Sequence, residues 1–174
     1  MKKSNTTPFI AWTLLVSMLL WFGSCKNSDD AVTPSAASVQ GDWKIVSYKI
    51  DPGVDFLGTG TKSNDLLTLY KAFPGGDDII ACLTTTIITF NSNGKITGKS
   101  GPKCTASGDK GPIEDNSTWK LDGNKLTITT GTDVSIYDTT LGGNTLKLVT
   151  QEMEDFDGDG KKENYMITIE LTKA

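Results

Sequence analysis

Trp119-Lys120-Leu121-Asp122-Gly123-Asn124-Lys125-Leu126-Thr127-Ile128-Thr129 decides the class of this fold. Leu126 and Ile128 alternate with polar neighbours, the two-residue period of a strand with one buried face. A second strand, Ser117 to Leu121, precedes it. Asp122-Gly123-Asn124 joins the two, because Gly and Asn accept the positive φ that a tight hairpin requires. The same pattern extends in both directions. Tyr165-Met166-Ile167-Thr168-Ile169-Glu170-Leu171-Thr172 alternates with Tyr, Ile and Leu on one face. Further strands are expected at Asp42 to Lys49, Thr84 to Phe90, Lys95 to Lys99, Asp133 to Tyr137 and Thr145 to Gln151. Asn93-Gly94 and Gly142-Gly143-Asn144 supply turns between them.

About eight strands with short connections form an all-β, antiparallel up-and-down barrel. A flattened sandwich with the same connectivity is the alternative. Trp43, Ile45, Phe90, Trp119, Leu126, Ile128, Ile136, Leu148, Ile167 and Ile169 are the expected inward positions. If they meet at the centre the core is filled; if not, a pocket remains. One segment departs from the pattern. Leu66, Leu67, Leu69, Tyr70 and Phe73 follow Ser63-Asn64-Asp65 and stop at Pro74-Gly75-Gly76, which fits one short capped helix over a barrel end or edge.

Composition removes whole classes of chemistry. Among 174 residues the 17 basic side chains are all lysine, with no histidine, and 21 acids leave a net charge of −4. Without His there is no Ser-His-Asp or Cys-His constellation and no imidazole base. Without Arg there is no bidentate fork for phosphate or guanine, and an acidic chain gains nothing from a polyanion. No nucleic-acid partner is expected. Ser92-Asn93-Gly94-Lys95 and Ser100-Gly101-Pro102-Lys103 match a serine acyl-enzyme string, but in a turn and a Gly-Pro loop rather than on a helix. The expectation is a protein that is not an enzyme.

Residues 1–24 read as a signal peptide. Lys2 and Lys3 precede the apolar run Ile10 to Phe22, which is too short to span a bilayer as a helix. Phe22-Gly23-Ser24-Cys25 resembles the lipobox of bacterial lipoproteins, with Phe22 where Leu is usual, which implies acylation of Cys25 and membrane attachment through it. Lys26-Asn27-Ser28-Asp29-Asp30 resembles, loosely, the lipoprotein export signal of Bacteroidetes. That implies an outer-membrane lipoprotein exposed at the cell surface. Residues 25–38, poor in apolar side chains, then serve as a flexible tether to a domain over 39–174.

Gly41-Asp42-Trp43 resembles the Gly-x-Trp signature of lipocalins. The wider order resembles the lipocalin-like domain of Bacteroidetes envelope lipoproteins: Gly41 to Ile45, Cys82, Thr89-Phe90-Asn91-Ser92-Asn93-Gly94-Lys95, Cys104, Trp119 to Ile128 and a closing Thr/Ile/Leu strand. The resemblance implies a barrel that holds a small apolar or amphipathic ligand. Lipocalins set an arginine against the signature tryptophan; here only Lys173 is available, without the planar fork. A surface module with a filled core, touching protein or glycan through its loops, is the other reading. Asp138-Thr139-Thr140 resembles a Bacteroidetes O-glycosylation site.

Cys82 and Cys104 are the only cysteines after Cys25, and in an oxidising space an even pair forms one disulfide. The sharpest chemical signal is Asp155-Phe156-Asp157-Gly158-Asp159-Gly160-Lys161-Lys162-Glu163. Carboxylates of Asp155, Asp157, Asp159 and Glu163, with the Lys161 carbonyl and a turn at Gly160, suit a structural calcium ion. Met166 stands where a full EF-hand would place its bidentate Glu. An ordinary Asp-Gly hairpin turn is the alternative.

Overall fold

The computed structural model describes residues 34–55, 58–104, 117–156, 158 and 160–174. In chain order these form α1 (Ala36–Val39), β1 (Gly41–Val54), β2 (Ser63–Asp65), α2 (Leu66–Tyr70), α3 (Gly76–Thr85), β3 (Ile87–Phe90) and β4 (Ile96–Lys99). The second half is all strand: β5 (Thr118–Asp122), β6 (Lys125–Thr130), β7 (Asp133–Gly142), β8 (Thr145–Glu154) and β9 (Glu163–Lys173). The strands lie in one antiparallel sheet of order β4-β3-β1-β9-β8-β7-β6-β5, with β2 paired beside β1. The ends of this order meet: Lys95 bridges Thr118, Ile96 N–H donates to Ser117 O (2.9 Å) and Trp119 N–H to Gly94 O (2.8 Å). The expected up-and-down barrel is therefore nearly closed, and closure removes most of the exposed sheet edge.

Hairpin chemistry sets the register. Asp122 pairs with Lys125 and Gly142 with Thr145, so Gly123-Asn124 and Gly143-Asn144 are two-residue loops. Gly123 (φ 59°) and Gly143 (φ 56°) take the left-handed first position, where a side chain would be strained. These turns, α1 and the start of β1 share one end of the barrel, which is packed solid. Trp43, Leu126 and Leu146 are fully buried there, with Val39 and Leu171 beside them. The Trp43 indole N–H donates to Val39 O at 2.8 Å. Residues 34–38, placed in the tether by composition, are folded here: Ser35 and Ser38 form a reciprocal cap on α1.

The other end carries the helices. Asp65 caps α2 by accepting from Leu67 N–H (3.0 Å) and Thr68 N–H (3.2 Å), as its place before the Leu run led us to expect. Helix α3, however, occupies residues for which the sequence suggested no helix, and β3 starts at Ile87 rather than Thr84. At this end the threonine hydroxyls fold back onto the helix, Thr84 and Thr86 donating to Ile80 O (2.8 Å) and Cys82 O (2.7 Å), so these residues close the helix instead of opening the strand. Under the helices lies a second apolar cluster: Ile50, Val54, Leu66, Leu69 and Tyr165, with Tyr48 and Phe156 against it.

Candidate functional site: a hollow barrel mouth

A bulge between Ile45 and Ser47 turns Val46 out to solvent, at 51 % exposure, and keeps the alternate residues Tyr48 and Ile50 facing in. In β7 the pleat runs opposite to expectation. Val134 and Ile136 are exposed, and Ser135, Tyr137 and Thr139 face the interior. Ile136 is thus not a core residue, because the β6–β7 register puts it opposite the outward-facing Thr127. The apolar side chain expected inside is replaced by small or polar ones.

That substitution leaves space. A cavity of about 230 Å³ opens above the packed end, walled by Ile45, Ile88, Phe90, Ile128, Leu148 and Ile169. Ser117, Thr130 and Ser135, at the strand ends around the mouth, give it a hydroxyl rim, with Tyr137 just below. Ser117 and Thr130 already hydrogen-bond each other at 2.8 Å. Most of the positions expected to point inward do so, yet they do not meet at the centre in this half. Trp119 instead packs edge-on against Phe90, with centroids 5.5 Å apart, and its N–H reaches Asn91 O at 3.0 Å.

Two half-buried phenols, Tyr137 in the cavity wall and Tyr48 against the cluster under the helices, feel the same acid, Glu152. Burial pushes the Tyr48 phenol up to about 12, and Tyr70, Glu152 and Tyr137 act in the same direction. Burial also raises Tyr137, a hydrogen bond with Ser135 lowers it in part, and Glu152 raises it again. Both phenols are therefore protonated at neutral pH, and Tyr137 sets its hydroxyl beside Ser135 in the cavity wall. Sequence reading did not single out Tyr48, Tyr137 or Glu152; their alternation with Ile50, Thr139 and Thr150 was the usable signal.

The other expected sites fare differently. Cys82 and Cys104 are joined, with Cα atoms 4.6 Å apart, tying α3 to the loop after β4. Cys25 lies outside the described residues, as do Asp157 and Asp159 of the acidic loop. Asp155 accepts from Gly158 N–H (2.8 Å) and Gly160 N–H (2.9 Å), and Glu163 accepts from the Tyr165 hydroxyl (3.1 Å). The side chain of Lys161, whose carbonyl was the expected ligand, is exposed. Among the described residues no group of three or more metal-ligating side chains converges. The same Asp-Phe-x-Gly-x-Gly string occurs at 55–60, where Asp55 accepts from Thr59 N–H (3.0 Å) and Gly60 N–H (2.6 Å). Closing such a turn is thus a task the first Asp performs without its acidic neighbours. Thr139 of the glycosylation-like string is buried at 3 % exposure and faces the interior, where no glycan could be attached.

Lys173 completes the packed end. It sits opposite Trp43 in the β1–β9 ladder and its Nζ lies 5.4 Å from the centroid of the indole, where the absent arginine was expected. No match was found among curated proteins or among solved structures. The family model of the lipocalin-like domain matches residues 39–148. That span holds the Gly-x-Trp start, both cysteines and most of the barrel, well over half the chain, and the chain belongs to the lipocalin-like domain family.

Proposed function

We propose that this chain is a lipid-anchored envelope protein whose barrel mouth binds one small apolar or amphipathic molecule. The observation that carries the reading is the 230 Å³ cavity, apolar in its walls and hydroxylated at its rim. An apolar cavity of ~150 Å³ suffices for benzene, and drug-sized ligands occupy ~300 Å³ or more. The occupant is therefore a compact molecule whose polar end meets Ser117, Thr130, Ser135 or Tyr137. The role is binding, not catalysis. Anchoring through acylated Cys25, at the outer face of an outer membrane, rests on the lipobox-like and Lys-Asp patterns near the start of the chain. Calcium at Asp155 to Glu163 is proposed on the spacing of its oxygens alone.

Native mass spectrometry of the full chain purified without detergent tests the binding role. A co-purifying small molecule, lost in Ile128→Trp, is the expected result. Repeated absence of any adduct, together with equal uptake of a neutral naphthylamine probe by wild type and Ile128→Trp, would leave the filled-core alternative. Anchoring is tested by Cys25→Ser, which should leave the membrane fraction; a variant that still sediments after a high-salt wash is held by something else.

A further inference from the structure

A second recess, sharing no lining residue with the barrel cavity, lies where α2 and α3 pack over the far half of β1. Its volume is about 460 Å³, twice that of the barrel cavity and within the range of ligand pockets. Four of its seven lining residues are aromatic: Tyr48 from β1, Tyr70 from α2, Phe73 from the turn after it and Phe156 from the β8–β9 connection. Leu66, Leu69 and Ile79 complete the wall. Phe73, at 38 % exposure, marks the side open to solvent.

None of the lining residues is a lysine, and the chain has no arginine or histidine. Glu152 stands opposite Tyr165 in the β8–β9 ladder, and Tyr165 belongs to the apolar cluster against which Tyr48 and Phe156 of the recess pack, so this carboxylate borders the recess and acts on the Tyr48 phenol. Among the described residues the Tyr48 hydroxyl makes no hydrogen bond, so its oxygen is free to face a guest. Aromatic rings present a negative quadrupole face to cations, and the attraction strengthens where the contact is desolvated. An anionic guest would instead set its charge near Glu152 in an apolar wall with no counter-ion.

We propose that this recess is a binding site for a hydrophobic organic cation, an alkylammonium group carrying an apolar chain, separate from the barrel cavity. The aromatic side chains and Glu152 take the ammonium, and Leu66, Leu69 and Ile79 cover the chain. The net charge of −4 favours the approach of such a guest and opposes that of a fatty acid.

The test is calorimetric titration of the full chain with decyltrimethylammonium, decanol and decanoate, each below its micellisation concentration. Decyltrimethylammonium should bind at least tenfold more tightly than decanoate. Glu152→Gln should weaken the ammonium at least fivefold and leave decanol unchanged. Leu69→Trp should abolish binding by filling the recess, whereas Ile128→Trp, which fills the barrel, should not affect it. Should Leu69→Trp fail to fold, Phe73→Ala at the exposed rim serves instead and should weaken the ammonium severalfold. Decanoate binding as tightly as the ammonium, or Glu152→Gln without effect on it, overturns the proposal. Loss in Ile128→Trp but not in Leu69→Trp would also overturn it, by moving the guest into the barrel.

Discussion

Removing the bridge between Cys82 and Cys104 should destabilise the domain by about 3 kcal/mol. The two residues are 22 apart in sequence, and closing a loop of that length in the unfolded chain corresponds to ~3.4 kcal/mol on the chain-entropy scale. Both sulfurs are buried, so no exposed thiol would relieve the loss. Contacts that survive are local. Gly101 N–H donates to Thr86 Oγ1 at 3.1 Å, and Lys103 meets Asp78 at 3.1 Å with both side chains about half exposed. A pair that exposed adds at most ~1 kcal/mol, and neither contact constrains the unfolded state as the bridge does. For a domain of this size ~3 kcal/mol corresponds to a fall in Tm of roughly 6–12 °C.

The assay is urea unfolding followed by tryptophan fluorescence, for wild type and for Cys82→Ala/Cys104→Ala. Wild type held in reductant gives the same comparison without mutation. Loss of less than ~1 kcal/mol in the double variant would refute the argument that the loop is held open-chain without the bridge. So would two thiols freely alkylated in the unfolded, unreduced protein. Helix α3 carries both Cys82 and Ile79, so the double variant should also bind decyltrimethylammonium less tightly than wild type.

At the packed end, Trp43→Ala should cost ~3–5 kcal/mol by leaving a void, whereas Lys173→Ala should cost no more than ~1 kcal/mol; urea midpoints separate the two. Tyr48 and Tyr137 have folded-state values above the ordinary phenol value of 10, so the folded state holds the protons more tightly. Their contribution is complete below pH 10 and is lost as pH rises toward about 12; stability should fall across that window, and less steeply in Tyr48→Phe. Calcium at ten times its dissociation constant should stabilise wild type by about 1.4 kcal/mol over EDTA, and Asp157→Ala or Asp159→Ala should remove the gain. A melting temperature indifferent to calcium would reduce the loop to an acidic turn.

The C-terminal strands were legible because one physical cause acted alone. In β6 apolar side chains alternate with threonine and Gly131 opens the turn that ends the strand, while in β9 Tyr165, Ile167, Ile169 and Leu171 share one face and only Met166 is an apolar residue turned out, so local sequence and tertiary burial agree. Helix α3 was hidden because Gly76-Asp77-Asp78-Ile79-Ile80-Ala81-Cys82-Leu83-Thr84-Thr85 mixes helix-favouring first-turn acids with β-branched residues suited to strands. Packing against β1 and the bridge at Cys82 decide in favour of the helix, and both are long-range. Strand β7 misled for the opposite reason. Val134 and Ile136 look like a core face, yet pairing with β6 fixes Ser135 and Tyr137 inward, and a pattern of apolar residues does not reveal register. The cavity was beyond reach, since its size depends on how side chains from strands far apart in sequence, Phe90, Tyr137 and Leu148 among them, pack around it.

The two ends of the barrel divide stability from binding. Val39, Trp43, Leu126, Leu146 and Leu171 are at most 2 % exposed and sit together at the turn end, where large-to-small changes leave voids and cost the most. The mouth is built from Ser117, Thr130, Ser135 and the half-buried Tyr137, whose burial returns little apolar free energy. A fold stabilised uniformly would gain by filling that half with Ile or Leu in place of the inward hydroxyls of β7. Here the apolar residues of β7 are spent outward, at Val134 and Ile136, while the interior keeps hydroxyls. An apolar-walled space that side chains leave unfilled, with a hydroxyl rim, forgoes packing free energy, and a ligand that fills it stabilises the folded state in proportion to the logarithm of its concentration over Kd. The asymmetry of β7 is thus the feature that separates a binding barrel from a filled one. Ser135→Ile should discriminate them: on the binding reading it raises the urea midpoint of the empty protein and weakens ligand uptake, and a fall in both would show that the hydroxyl is there for the fold.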